Sequence, residues 1–295
     1  MLKKIINRLV NAALPSRYKE IYWLRARLYE HFLSAKTSFD IMSKLVESNA
    51  FFKPSNITVK NTPNASNILI FAPHQDDDII GCGGTILNSL AKEINVSVVY
   101  MMDGISPKIQ DIKRSEMLHV RNAEAKQVWS HLNNHNPMFL NIPTRSNSVE
   151  TKKYIHKIVE ILNGFDGECI FLPYFLDAPL DHQRATFLIW KALKKSRSNA
   201  LREIWLYQVN TMISPNIAID ITDVESKKFE LMGMWESQNQ AFNYQHRTRG
   251  LNAANSVYTM FSIKHDQPYV ELFHVTSPTN FINLLSPYYE QVNLF

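Results

Sequence analysis

Two cysteines, Cys82 and Cys169, are all that this chain of 295 residues contains. That is too few for a disulfide framework and suits a reducing compartment. Long apolar runs are missing as well: nothing approaches the roughly 18 residues a membrane span requires, so no transmembrane helix is expected. The first residues lack the uninterrupted apolar core and small-residue cleavage site of a signal peptide. Excess charge is confined to one end. Between positions 1 and 30, seven basic side chains stand against Glu20 and Glu30, which accounts for the whole net charge of +5. The remainder is neutral, which disfavours a nucleic-acid groove across the fold. A composition of 45% hydrophobic and 20% charged residues is that of an ordinary soluble globular protein, and a cytoplasmic location is the expectation.

The basic end has a pattern. Leu2, Ile5, Ile6, Leu9, Val10, Ala13 and Leu14 recur at helical spacing with Lys3, Lys4 and Arg8 on the other side, until Pro15 stops the run. Any surface helix is amphipathic, so packing on its own domain or on a second copy of the chain is the favoured reading. Peripheral attachment of residues 1–14 to an anionic surface, at the inner face of the membrane, is the alternative. An aromatic-rich helical stretch follows over 18–46, then a linker or edge segment over 55–66. The expected organisation is an N-terminal helical extension, 1–53, and one α/β domain, 54–295.

From position 67 onward, short apolar runs alternate with helical patterns. Strands are predicted at 67–71, 95–102, 138–142, 169–173, 202–208 and 217–221, with helices at 85–92, 113–132, 149–162 and 181–195. That alternation predicts a Rossmann-like, mostly parallel sheet covered by helices on both faces. The aromatic tail (Phe273, Phe281, Tyr288, Tyr289, Phe295) is read as a C-terminal cover.

Chemistry gathers where two of these strands end. His74, Asp76, Asp77 and Asp78 lie within five residues immediately after the first strand, where unpaired carboxylates are costly to desolvate and a divalent cation would offset the cost. Gly81, Gly83 and Gly84 are expected to let the backbone turn beside such an ion. An aspartate cluster capping the next helix is the bland alternative. Cys82 has no partner cysteine and is a weak candidate for nucleophile or soft ligand. A second polar group, Asp177, Asp181 and His182, follows the 169–173 strand. In a parallel sheet, two strand ends on one edge can bring His74, Asp77 and His182 around a single ion.

The string His74-Gln75-Asp76-Asp77, followed by Gly81-x-Gly83-Gly84-Thr85, resembles the signature of the PIG-L/LmbE-like zinc-dependent N-deacetylases. The resemblance extends over residues 66–262 and includes Asp220-Ile221-Thr222-Asp223, Ser237-Gln238 and, in His246-Arg247-Thr248-Arg249-Gly250, a stretch similar to the family's Arg-x-Arg-Gly turn. It implies that His74, Asp77 and His182 ligate Zn2+ or another divalent transition metal and that Asp76 is the general base. It implies further that Asp177, Asp181, Arg121 and Arg249 lie beside the metal ligands or the substrate. Gln75 stands where the family usually has proline, Asp78 where it has glutamate, and Pro179 where it has a histidine that assists the oxyanion. The expected activity is removal of an N-acetyl group from an N-acetylated sugar or glycoconjugate. The alternative is a catalytically impaired relative that binds sugar or metal in glycan biosynthesis.

Overall fold

The computed structural model describes residues 57–105, 109–133, 135–143, 148–240, 242–259 and 262–290. The expectations for the 1–14 helix, the 18–46 stretch and Phe295 fall outside them.

Eight strands form one sheet in the order β1-β7-β8-β6-β5-β2-β3-β4. They are β1 (Thr58–Lys60), β2 (Asn67–Ala72), β3 (Asn95–Met102), β4 (Met138–Ile142), β5 (Cys169–Pro173), β6 (Glu203–Tyr207), β7 (Ile217–Asp220) and β8 (Val270–Thr276). β2 pairs in parallel with both β3 and β5, and β5 with β6. Being covered on both sides, β2 and β5 are near-continuous apolar runs and not alternating ones.

The helices are α1 (Asp77–Leu90), α2 (Asp111–Ser130), α3 (Ser148–Gly164), α4 (Leu180–Leu193), α5 (Glu225–Gly233), α6 (Glu236–Asn239), α7 (Tyr244–Asn255) and α8 (Pro278–Tyr289). Successive side chains of a strand point to opposite faces, and the two cores follow that alternation. Ile68 and Ile70 pack with Ile79 and Ile86 of α1, Trp129 of α2 and Leu231 of α5. Leu69 and Phe71 pack with Ile158 of α3, Leu188 of α4 and Phe281 of α8. The predicted doubly covered, mostly parallel sheet is therefore present.

Three local expectations are corrected. The glycines do not form a turn: α1 begins at Asp77, eight positions before the predicted start, and contains all three. Their purpose is close approach. A Cβ on Gly81 would collide with the Tyr207 ring and one on Gly84 with Ile221, so the helix can lie down on the sheet only without side chains there. Phe273 is no cover residue. It lies in β8, which inserts antiparallel between β6 and β7, while Phe281, Tyr288 and Tyr289 of α8 do form a cover. Residues 246–250, expected as a turn, are helical within α7.

α1 is pinned from below by a buried charge pair. Glu271 of β8 accepts hydrogen bonds from the Gly84 and Thr85 amides, both at 2.8 Å, and from Thr85 Oγ1 at 2.6 Å. Lys228 Nζ donates to Glu271 at 2.7 Å, to Ile80 O at 2.9 Å and to Asn252 Oδ1 at 2.8 Å.

Candidate active site

From β2 the chain runs through α1, β3, α2 and β4 on one side, then returns through α3 to β5 on the other side of β2. The crevice between β2 and β5 is thus the sheet's topological switch point, where loops diverge and leave room for a ligand. Both polar groups foreseen from the sequence open onto it.

Asp77, the first residue of α1, sits between two imidazoles. Its Oδ2 lies 3.2 Å from His74 Nδ1 and 3.2 Å from His182 Nε2, and it also accepts the His74 amide at 2.9 Å. The potential ligand atoms of His74, Asp77 and His182 all lie within 4.8 Å of one another. Ligand atoms about 2.0–2.1 Å from a tetrahedral ion stand about 3.3 Å apart. Two imidazole nitrogens and a carboxylate oxygen at these separations fit a divalent transition metal, a borderline-soft ion well served by nitrogen and oxygen. His182 and Asp77 are almost wholly buried and His74 faces the opening.

Charge holds the three together. Burial alone would lower both histidines, yet hydrogen bonds donated to Asp181 and Asp77 raise His74 to about 9. The charge of Asp77 and the hydrogen bond to Asp177 raise His182 to about 10. Burial would raise Asp77, but the two imidazoles hold its carboxyl well below the usual carboxylate range.

Asp177 and Asp181 both flank the group. Asp177, fully buried, takes the hydrogen bond of His182 Nδ1 at 2.8 Å, which leaves Nε2 facing Asp77. Its other oxygen is filled by the amides of Asn210 and Thr211 at 3.0 and 2.7 Å and by Thr211 Oγ1 at 2.8 Å. Asp181 lies 3.5 Å from His74 Nε2 and pairs with Arg184 at 3.0 Å.

Asp76 precedes α1 and makes no side-chain hydrogen bond there. Burial and the adjacent Asp77 raise its pKa to about 6. Asp78 turns away from the crevice: it is completely buried, accepts from Tyr100 Oη at 2.8 Å and Trp129 Nε1 at 2.9 Å, and is pushed by burial to about 7. Gln75, in the family's proline position, ties the loop to α2 through Asn122 at 2.9 Å.

The pocket over this group measures about 180 Å³, less than the roughly 300 Å³ of a site enclosing a whole small ligand. A cavity of that size has room for one end of a small molecule and not for the whole of it. Arg121 reaches its edge and donates from Nη1 to Gly104 O at 2.8 Å. Glu124, one turn on, does not pair with Arg121 but accepts from Ser237 N and Oγ at 2.9 and 2.6 Å. Gly104 has φ +63°, and a Cβ there would lie 2.8 Å from His74 Cδ2 and 2.5 Å from Arg121 Nη1.

Pro179 forms part of the wall and offers no donor, and the far side is built from Asn210, Gln238 and Tyr244. Of these, Gln238 stands in the Ser-Gln pair quoted from the sequence. Asn210 was findable as a polar residue just past the carboxyl end of β6, and nothing local marks Tyr244. Arg249 does not join the site. It pairs with Glu225 at 2.8 Å, with its guanidinium 4.6 Å from the Phe229 ring centre. Cys82 is buried inside α1, and burial pushes its thiol well above the ordinary value, which excludes a reactive thiolate.

Residues 69–193 match the PIG-L family, described as GlcNAc-PI de-N-acetylase. Among solved structures, the chain is similar to N,N'-diacetylchitobiose deacetylase from Pyrococcus horikoshii, with 21% identity, a TM-score of 0.61 and coverage of 83% of this chain and 95% of that one. It is also similar to a 4-carboxy-2-hydroxymuconate hydratase from Pseudomonas putida KT2440 (16% identity, TM-score 0.57, coverage 72% and 96%). The zinc-inhibited form of teicoplanin deacetylase matches at 12% identity with a TM-score of 0.53, covering 72% of this chain and 98% of that one. At such identities the likeness is one of fold.

Proposed function

We propose that the chain, whose residues 69–193 match the PIG-L family, is a metal-dependent hydrolase that removes the N-acetyl group from an N-acetylated sugar or glycoconjugate. Fold alone does not select that reaction, since a hydratase shares the scaffold. The observation that carries the reading is local: a buried carboxylate, Asp76, which makes no side-chain hydrogen bond to the start of α1, adjoins a His-Asp-His group with metal-ligand spacing at the switch point.

His74, Asp77 and His182 would hold the ion, and a divalent cation there supplies Lewis acidity and a water that ionises near neutral pH. Asp76 takes the proton of the attacking water and returns it to the nitrogen as the C–N bond breaks, so that acetate and a free amine leave. A pKa raised to about 6 suits a group that must do both. Asp177 keeps the proton of His182 on Nδ1, and Arg121 holds the substrate's edge at the pocket rim.

The test is acetate release from a panel of N-acetyl sugars, with and without chelator, by the wild-type chain and Asp76→Asn. The expected result is chelator-sensitive release, reduced about 10²–10⁴-fold in Asp76→Asn with metal content unchanged. Full turnover by metal-loaded Asp76→Asn would remove the base assignment. No release from any substrate would favour the catalytically impaired alternative.

A further inference from the structure

Hydrolysis of an amide builds negative charge on the carbonyl oxygen, and a fixed donor aimed at it is a large source of rate. The pocket that holds the His-Asp-His group is lined also by four residues whose side chains can donate: Arg121, Asn210, Gln238 and Tyr244. Three already have partners. Asn210 Nδ2 donates to Ala178 O at 2.6 Å while its Oδ1 accepts from Arg247 at 2.7 Å. Gln238 Nε2 donates to Ser237 Oγ at 3.2 Å. Arg121 is tied to Gly104 O at 2.8 Å. The Tyr244 phenol alone makes no hydrogen bond among the described residues, and it lines the pocket.

We propose that Tyr244 is a catalytic residue whose hydroxyl donates a hydrogen bond to the substrate's carbonyl oxygen as charge develops there; this rests on the amide-hydrolase reading above.

The segment around Tyr244 is built to hold one position. Asn243 caps α7 by accepting the His246 amide at 2.9 Å. Gln245 is fastened on both sides, its amide to Asn239 Oδ1 at 3.2 Å and its Nε2 to Phe229 O at 2.7 Å. Arg247, almost one turn on, clasps Asn210 Oδ1 and reaches the carbonyls of Val209 and Asn210, both at 3.4 Å. The Phe242 ring packs edge-on against Tyr244 with centroids 5.2 Å apart. Every immediate neighbour is anchored and the phenol tip is left unpaired, which is the arrangement of a preorganised donor. Partial burial and the charges of Asp76 and Asp77 raise its pKa above the ordinary tyrosine value, so the proton stays on the oxygen. Arg247 acts through Tyr244 and is a positioning residue.

Tyr244→Phe deletes one oxygen and keeps the ring. Steady-state acetate release is measured first for the wild-type chain, then for Tyr244→Phe, on matched N-acetyl and N-trifluoroacetyl sugars with metal content recorded. The expected result is a fall in kcat of about 10²–10³ on the acetyl substrate, with KM and metal unchanged. The loss is smaller on the trifluoroacetyl substrate, whose fluorines stabilise the oxyanion themselves. Arg247→Ala lowers kcat in the wild-type background and has little further effect in Tyr244→Phe, because the two act as a unit. Wild-type kcat in Tyr244→Phe, an equal loss on both substrates, or a change in KM alone overturns the proposal while leaving the deacetylase reading intact. Absence of trifluoroacetate or acetate release by the wild-type chain overturns both.

Discussion

Replacing Asp177 by asparagine tests whether the inner pocket is set by a single proton. Asp177 Oδ1 accepts from two backbone amides and a hydroxyl, at 2.7–3.0 Å. Those three donors keep the carbonyl oxygen of an asparagine in the same place and force its NH2 toward His182 Nδ1. In the neutral imidazole that metal binding requires, the nitrogen that now donates at 2.8 Å must then accept, and the one proton is held on Nε2, the atom 3.2 Å from Asp77. A protonated Nε2 has no lone pair for a metal. Loss of such a partner costs about 10–100-fold in metal affinity, or about 1.4–2.8 kcal/mol, whereas the backbone bonds and hence the fold are kept. Competition with a chromogenic chelator measures the affinity, and thermal unfolding checks the fold. Wild-type metal affinity in a folded Asp177→Asn chain would refute the tautomer argument.

Three further outcomes follow from other contacts. Gly104→Ala forces an alanine into positive φ and against His74 and Arg121; about 1–3 kcal/mol of stability and most acetate release are expected to be lost, and unchanged values for both contradict the crowding. Lys228→Met leaves Glu271 buried without its cation, though with three other donors. A loss of about 3 kcal/mol and roughly 6–12 °C in Tm is expected by calorimetry, and an unmoved Tm would mean that the pair does not hold α1. Burial lowers the pKa of His274, whose Nδ1 lies 2.9 Å from Ser214 O. Above the ordinary histidine value both states are neutral; below it the unfolded chain binds the proton first, so this contribution is lost as pH falls through the folded value. The urea-stability gap between wild type and His274→Asn should therefore narrow from pH 7.5 to 5.5, and a constant gap would contradict it.

The stretch from Asn67 to Asp77 was legible because its information is local. An apolar run specifies a doubly buried strand, and the polar residues that follow are contiguous. Strand Cys169–Pro173 and the Asp177–His182 segment were legible for the same reason, and the switch-point rule then brought the two together. What escaped depends on distant partners. Val270–Thr276 carries Glu271 and His274 among its apolar residues, and its place between β6 and β7 is fixed by pairing with segments fifty or more positions away. The glycines of α1 look like a turn until Tyr207 and Ile221 are seen to press on them. Arg249 looks free until Glu225 and Phe229 are placed beside it. Tyr244 reaches the site through a helix that is fastened to distant segments, among them the loop after β6 through Arg247 and Phe229 through Gln245.

The most direct measurement is metal content, by elemental analysis of the purified chain and of His74→Ala, Asp77→Ala and His182→Ala after equilibration with zinc and removal of loose ion. One divalent ion per wild-type chain, lost in each variant while the fold persists, is the predicted result. A wild-type chain that retains none, or variants that retain as much as it does, would contradict the shared ion on which the hydrolytic account stands.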